Sequence, residues 1–211
     1  MPLEIERKFL LKNTDIPDAD SKVRILQDYL IPEDPNVSSE RVRMMLESCD
    51  RNDWDLALSN VIGYFHTVKT HIGKGICEEI ENEIDVNHYY ELIRRRDPKS
   101  TCISKQRNIY HYNGHKFEVD RFNWPKRLLM VEVELSDINE EIDFPEWMII
   151  DREVTDDPAY SNHNIAEREQ ECLKNIHNVD GNKSLTSLFA GLKKVIVKVK
   201  KRLSAFIWRT F

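Results

Sequence analysis

Apolar and polar residues alternate at a period of two through most of this chain, the spacing at which successive side chains of a strand take opposite faces. Residues 1–11, 25–31, 41–47, 61–69, 76–85, 101–112, 115–122 and 128–135 each read as such a strand. Asn113 and Gly114 separate the sixth from the seventh, and both tolerate positive φ, so a tight hairpin is predicted there. The pattern breaks at residues 85–96, where Val86, Tyr89, Tyr90, Leu92 and Ile93 recur at helical spacing and predict a crossover helix. Asp20 or Ser21 is placed to cap a short helix or turn, residues 71–75 read as a glycine-bearing turn, residues 147–154 as a short helix or irregular closure, and residues 159–177 as helical. An antiparallel sheet with flanking helices, class α+β, is the resulting expectation.

Beyond residue 170 the period changes for good. Leu185, Leu188, Leu192, Val195, Ile196, Val199, Leu203, Phe206 and Ile207 follow spacings of three, four and seven, with Lys194, Lys198, Lys201, Arg202 and Arg209 largely opposite. Residues 171–211 are therefore expected to be a basic, amphipathic helical extension. Lysines interrupt its apolar run too often for it to span a bilayer. Three readings compete: packing on the body of the protein, pairing with a second copy as a homodimer, and peripheral contact of residues 185–211 with an anionic membrane.

A chain of 211 residues with 40% hydrophobic content can bury one sizeable core, so a single domain over residues 1–170 carries that extension. The net charge of −6 divides unevenly. Residues 181–211 hold eight bases and no acid, leaving −14 for the first 180 residues. So acidic a body repels phosphodiester backbones and argues against a duplex nucleic-acid partner. Cys49, Cys77, Cys102 and Cys172 form no C-x-x-C pair, and no leader with a cleavage site opens the chain, so a reducing, cytoplasmic location is expected. The histidines His66, His71, His111 and His115 are not expected to hold metal.

Within the strands the charges are sorted. Glu4-x-Glu6-x-Lys8, Arg41-x-Arg43, Glu79-x-Glu81-x-Glu83, Lys105-x-Arg107, Glu118-x-Asp120 and Glu132-x-Glu134 each place charges on one face, mostly of one sign. A solvated outer face is also polar at period two, and for any single pair that is the ordinary reading. Like charges two apart repel, however, and sorting them strand by strand calls for a compensating ligand. If the strands close into a barrel with these faces inward, the lumen gains a basic zone for a polyanion and an acidic zone for divalent cations.

Those residues also carry a resemblance. Glu4, Glu6 and Lys8 match the N-terminal E-x-E-x-K strand of the CYTH superfamily, the triphosphate tunnel metalloenzymes. Arg41-x-Arg43, Thr67-Val68-Lys69, the acidic run ending Glu81-Asn82-Glu83-Ile84, Lys105-x-Arg107, Glu118-Val119-Asp120, Glu132-Val133-Glu134 and the stretch from Arg152 to Asn162 follow in the family's order. The resemblance covers residues 4 to about 166. It implies an eight-stranded antiparallel β-barrel, the triphosphate tunnel, acting as a metal-dependent triphosphate hydrolase, with inorganic triphosphate as leading substrate. It further implies that Lys8, Arg41, Arg43, Lys69, Lys105, Arg107 and Arg152 hold phosphate oxygens. By the same resemblance Glu4, Glu6, Glu132 and Glu134 hold Mg2+ or Mn2+, Glu81, Glu118 and Asp120 complete the acidic wall, and these three form the catalytic set with Glu4, Glu6 and Lys8. Two positions depart from the pattern: Cys77 stands where the family often has Arg, and Arg152 where it commonly has Lys. Thiamine- or nucleoside-triphosphate hydrolysis, class IV adenylate cyclase activity and non-catalytic sensing of polyphosphate or nucleotide are the alternatives.

Overall fold

The computed structural model describes residues 2–48, 60–122 and 128–167. Eight antiparallel strands close into a barrel: β1 (Leu3–Leu11), β2 (Ser21–Leu30), β3 (Ser39–Glu47), β4 (Val61–Gly73), β5 (Ile76–Ile84), β6 (Ile103–Tyr112), β7 (His115–Phe122) and β8 (Leu129–Glu134). Around the wall they run β5-β4-β3-β2-β6-β7-β8-β1, and β1 pairs back onto β5 to shut the ring. The Asn113–Gly114 hairpin forms as its residues dictate, with φ of 45° and 83°.

The predicted crossover helix is α1 (Val86–Leu92), continued by a 3-10 turn at Ile93–Arg95. Asp85 caps it, accepting from the backbone N–H groups of Asn87 and His88 at 2.8 and 3.1 Å. Three local expectations are corrected. Ser21 opens β2 rather than a helix, and the Asp20 carboxylate accepts from the His111 backbone N–H at 2.7 Å across the sheet. Strand β4 runs on to Gly73 through a register shift, which leaves the turn to Lys74 and Gly75. Residues 147–154 supply a strand, β9 (Ile150–Glu153), where a short helix or irregular closure was expected. The reason lies in β1: β5 pairs only with its residues Leu3 to Ile5, so the edge at Phe9 to Leu11 would be left without partners, and β9 takes it.

The described part of the predicted C-terminal helical stretch is a 3-10 turn at Pro158–Tyr160 and a helical segment at residues 162–167. The extension 171–211, with the membrane contact expected of residues 185–211, lies outside the described residues. No helix among the described residues is long and apolar enough to cross a membrane.

Period-two alternation dictates where the core lies. The outward faces of β1 and β6 to β8 contribute Phe9, Tyr110, Phe117, Val119, Val131 and Val133, which bury against Ile142, Phe144 and Trp147 of the loop after β8. The outward faces of β2 and β3 contribute Leu30, Val42, Met44 and Leu46, and α1 covers them with Tyr89, Tyr90 and Leu92. Each fully buried aliphatic or aromatic side chain stabilises the fold by about 1.5–3 kcal/mol. A third cluster lies inside. Leu10, Ile103, Phe122 and Met130 each stand two residues from an inward charge on their own strands, and Ile165 and Ala166 of the 162–167 segment pack among them as an apolar plug. That plug closes off one end and leaves the charged inward positions gathered in the middle of the barrel.

Candidate active site in the barrel lumen

Register brings the charged dyads together. Lys8 stands opposite Glu132, Glu6 opposite Glu134, Glu118 opposite Glu132 and Arg107 opposite Asp120. On the other side of the ring Arg41 pairs in register with Thr67, Thr67 with Glu81, and Lys69 with Glu79. Two cavities follow, of about 390 and 470 Å3, and they share Glu4, Glu6, Lys8, Arg41, Lys69 and Asn162, so they form one continuous tunnel. Glu81, Glu118, Glu132, Glu134, Arg43, Lys105 and Arg107 line the first. Asp120 lies beneath them, wholly buried.

The acids that line this charged cavity are each paired with a base. Lys8 Nζ lies 2.8 Å from Glu6 Oε1 and 2.9 Å from Glu132 Oε1. Arg107 donates to Asp120 through Nε at 2.8 Å and NH2 at 2.7 Å, to Glu132 at 2.6 Å and also to Glu118. Lys105 Nζ donates to Asp120 at 2.5 Å. Lys69 bridges Glu4 and Glu79, while Glu81 accepts from Arg43 and, at 2.6 Å, from the Thr67 hydroxyl. Glu134 is mostly exposed at the mouth, 3.8 Å from Lys116.

The pairing is not balanced everywhere. Burial pushes the Glu6 carboxyl up, and the charge of Glu132 pushes it further. Glu4 is likewise raised by burial, against the pull of Lys69. Glu132 goes the other way: burial works upward, but Lys8, Lys105 and Arg107 together hold it well below the usual carboxylate range. Arg43 is pulled down by burial and by the guanidinium of Arg41. The Nε atoms of both Arg41 and Arg43 are buried and have no hydrogen-bond partner among the described residues. Two guanidinium groups crowded on one wall of the lumen concentrate positive charge there, an environment suited to an anion.

Of the residues expected in the site, Arg152 alone is placed elsewhere. Its side chain is exposed, pairs with Asp151 at 3.1 Å and donates to the Tyr160 hydroxyl at 2.7 Å. Among the lining residues not anticipated as site members are Glu79, Lys116 and Asn162. Glu79 and Lys116 share parity with Glu81 and Glu118, so period two alone could have found them. Asn162 comes from the helical segment and left no such signal. The histidines His66, His111 and His115 take Glu40, Asp20 and Glu140 as partners.

Gly75 holds the tunnel wall at its most sensitive strand. Its φ is +60°, its carbonyl accepts from the Glu6 backbone N–H at 2.8 Å, and a Cβ added there would lie 2.6 Å from the Glu6 carbonyl oxygen. Gly75→Ala is expected to cost about 1–3 kcal/mol in denaturant unfolding and to lower turnover by displacing Glu6. Gly114→Ala, at φ +83° in open space, serves as the control that pays conformational strain without touching the site.

No protein-family model matches the chain. It is 30% identical over 175 residues to the inorganic triphosphatase of Acetivibrio thermocellus, across 82% of this chain and 99% of that protein. Among solved structures it is similar to the inorganic triphosphatase NE1496, at 27% identity and a TM-score of 0.49 over 79% of this chain and 96% of that one. It is also similar to a putative adenylate cyclase from Bacillus halodurans, at 13% identity and a TM-score of 0.42 over 87% and 96% of the two chains.

Proposed function

This chain belongs to the triphosphate tunnel metalloenzymes of the CYTH superfamily, and from that membership we propose that it hydrolyses inorganic triphosphate to pyrophosphate and phosphate. The observation that carries the reading is the convergence of six bases, Lys8, Arg41, Arg43, Lys69, Lys105 and Arg107, on the lining of one cavity. Such a lumen binds phosphate oxygens through charge-assisted bonds, each worth about 1.5–3 kcal/mol.

The residues present also fit a divalent cation. Glu6, Glu132 and Glu134, with Glu4 beside them, offer carboxylate oxygens alone, the donor type of Mg2+ and Mn2+. The raised Glu6 carboxyl marks where anionic crowding has most to gain from such a charge. Bound there, the cation would neutralise phosphate oxygens and polarise the anhydride. The chain's own groups do the rest. Arg41, Arg43 and Lys69 fix the polyphosphate at one side of the lumen, and Lys8 faces it from β1. Arg107, engaged by three carboxylates, keeps Glu118, Asp120 and Glu132 in place, and Glu118 and Glu81 orient the attacking water.

Arg43→Ala is expected to raise KM by about ten- to hundredfold through loss of one forked contact, with Arg43→Lys restoring charge but only part of the affinity. The reaction itself is tested by following phosphate, pyrophosphate and cAMP from inorganic, thiamine and adenosine triphosphates with Mg2+ and with Mn2+. Equal phosphate and pyrophosphate from inorganic triphosphate is the expected result. Release of cAMP from ATP as the main product would overturn it in favour of a cyclase, and binding without turnover of any substrate in favour of a sensor.

A further inference from the structure

Outside the charged lumen, one group of ligating side chains stands without the cationic partners that the lumenal acids have. Asp97 follows the 3-10 turn after α1, while His163 and Glu167 lie four residues apart on the helical segment 162–167, so both project from one side of it. One potential ligand atom from each of the three lies within 4.8 Å of the others. All three are half-buried, and among the described residues none forms an ion pair. Asp97 Oδ1 accepts from the Lys99 backbone N–H at 2.8 Å, which leaves its second oxygen to bind elsewhere.

The framework beneath them is fixed. The Asp97 backbone N–H donates to the Tyr29 carbonyl at 2.9 Å, and the Thr101 N–H donates to the Ala166 carbonyl at 3.2 Å. The His163 ring packs edge-on against Tyr29 with centroids 4.7 Å apart. His163 also lines the larger cavity, which gives an ion a route to the site.

We propose that Asp97, His163 and Glu167 bind a borderline divalent cation of the Zn2+ class at the plugged end of the barrel. The donor set decides the class. One imidazole with two carboxylates favours Zn2+ or Co2+ over Mg2+, whereas the lumenal set offers oxygen alone. Tetrahedral bonds near 2.0–2.2 Å set ligand atoms about 3.4 Å apart, so the three side chains close on the ion by up to about an ångström and a half, within reach of rotation about their own χ angles. The ion would tie the 162–167 segment to the residues after α1. It would thereby hold the plug residues Ile165 and Ala166, and beside them Asn162, whose buried Oδ1 has no hydrogen-bond partner among the described residues.

The test is titration of the full chain with Zn2+ by calorimetry, and with Co2+ by visible absorption, in excess Mg2+ to occupy the lumen. The wild type is expected to bind one Zn2+ and to gain thermal stability from it. His163→Ala and Asp97→Asn should each weaken that binding tenfold or more and lose the thermal gain, while melting like the wild type in chelator. Glu6→Gln should keep it. Unchanged Zn2+ affinity in both His163→Ala and Asp97→Asn would overturn the proposal. So would loss of binding in Cys77→Ser, because Cys77 Sγ lies 3.9 Å from His71 Nδ1 and is the rival soft pair.

Discussion

Glu6→Gln is expected to reduce turnover by roughly a hundred- to a thousandfold while leaving the barrel folded. The substitution keeps the volume of the side chain and removes one anionic oxygen ligand, and metal stabilisation of a phosphoryl-transfer transition state is worth several kcal/mol, at 1.36 kcal/mol per tenfold. Folding should survive because the charge removed is one that burial and Glu132 already disfavour. Glutamine also keeps an oxygen able to accept from Lys8, now 2.8 Å from the carboxylate. Steady-state kinetics across a Mg2+ titration, beside a melting curve, separates the two effects. Near-normal metal-dependent turnover would remove Glu6 from the metal site.

Arg107→Ala should act the opposite way, through the fold first. Its guanidinium is shared by Glu118, Asp120 and Glu132, and Asp120 is wholly buried. Removing the cation leaves three inward carboxylates with Lys105, Lys8 and Lys116 as remaining partners, and breaking a buried pair from one side costs about 3–5 kcal/mol. For a chain of this size that corresponds to a fall in Tm of roughly 10 °C. The loss should shrink in acid, because carboxylates deprived of Arg107 take up protons that the wild-type Glu132 resists. Equal Tm for mutant and wild type at neutral pH would mean that Arg107 is solvated and that the lumen is not the closed electrostatic unit described above.

The contrast between Arg107 and Arg43 shows what the sequence could and could not convey. Both stand in base-x-base dyads, and period two placed both on an inward face. Which base is saturated by acids and which is left with an unmet donor depends on strand order around the ring, since Arg107 gains Glu132 from two strands away. Strand order is a long-range property that local alternation does not encode. The strand at Ile150–Glu153 was misread for a related reason: only the short reach of β5 along β1 reveals a vacant edge for it to fill. Asn162 escaped because a helical segment enters the lumen from outside the sheet, where no periodicity marks it. Legible from the start were the features set by neighbours two residues apart, which include the eight strands and nearly all of the lumenal charges.

The ring is shut by a short seam. Between Leu3–Ile5, paired to β5, and Phe9–Leu11, paired to β9, the edge of β1 has no continuous ladder. Instead the Glu6 N–H reaches the Gly75 carbonyl, the Lys8 N–H reaches the Thr155 hydroxyl at 3.1 Å, and the Lys8 carbonyl accepts from the Val154 N–H at 2.8 Å. A wall clasped by two turns opens at lower free energy than one zipped by a ladder such as β6–β7, where eight residue pairs stand in unbroken register. In native-state hydrogen exchange the amides of Glu6 and Lys8 should therefore be released well ahead of those of Arg107 and Val119. The slit that forms lies beside the very side chains that would grip the polyanion, so a guest too long to thread the open mouth slips in sideways, and the barrel behaves as a clasp rather than a pipe.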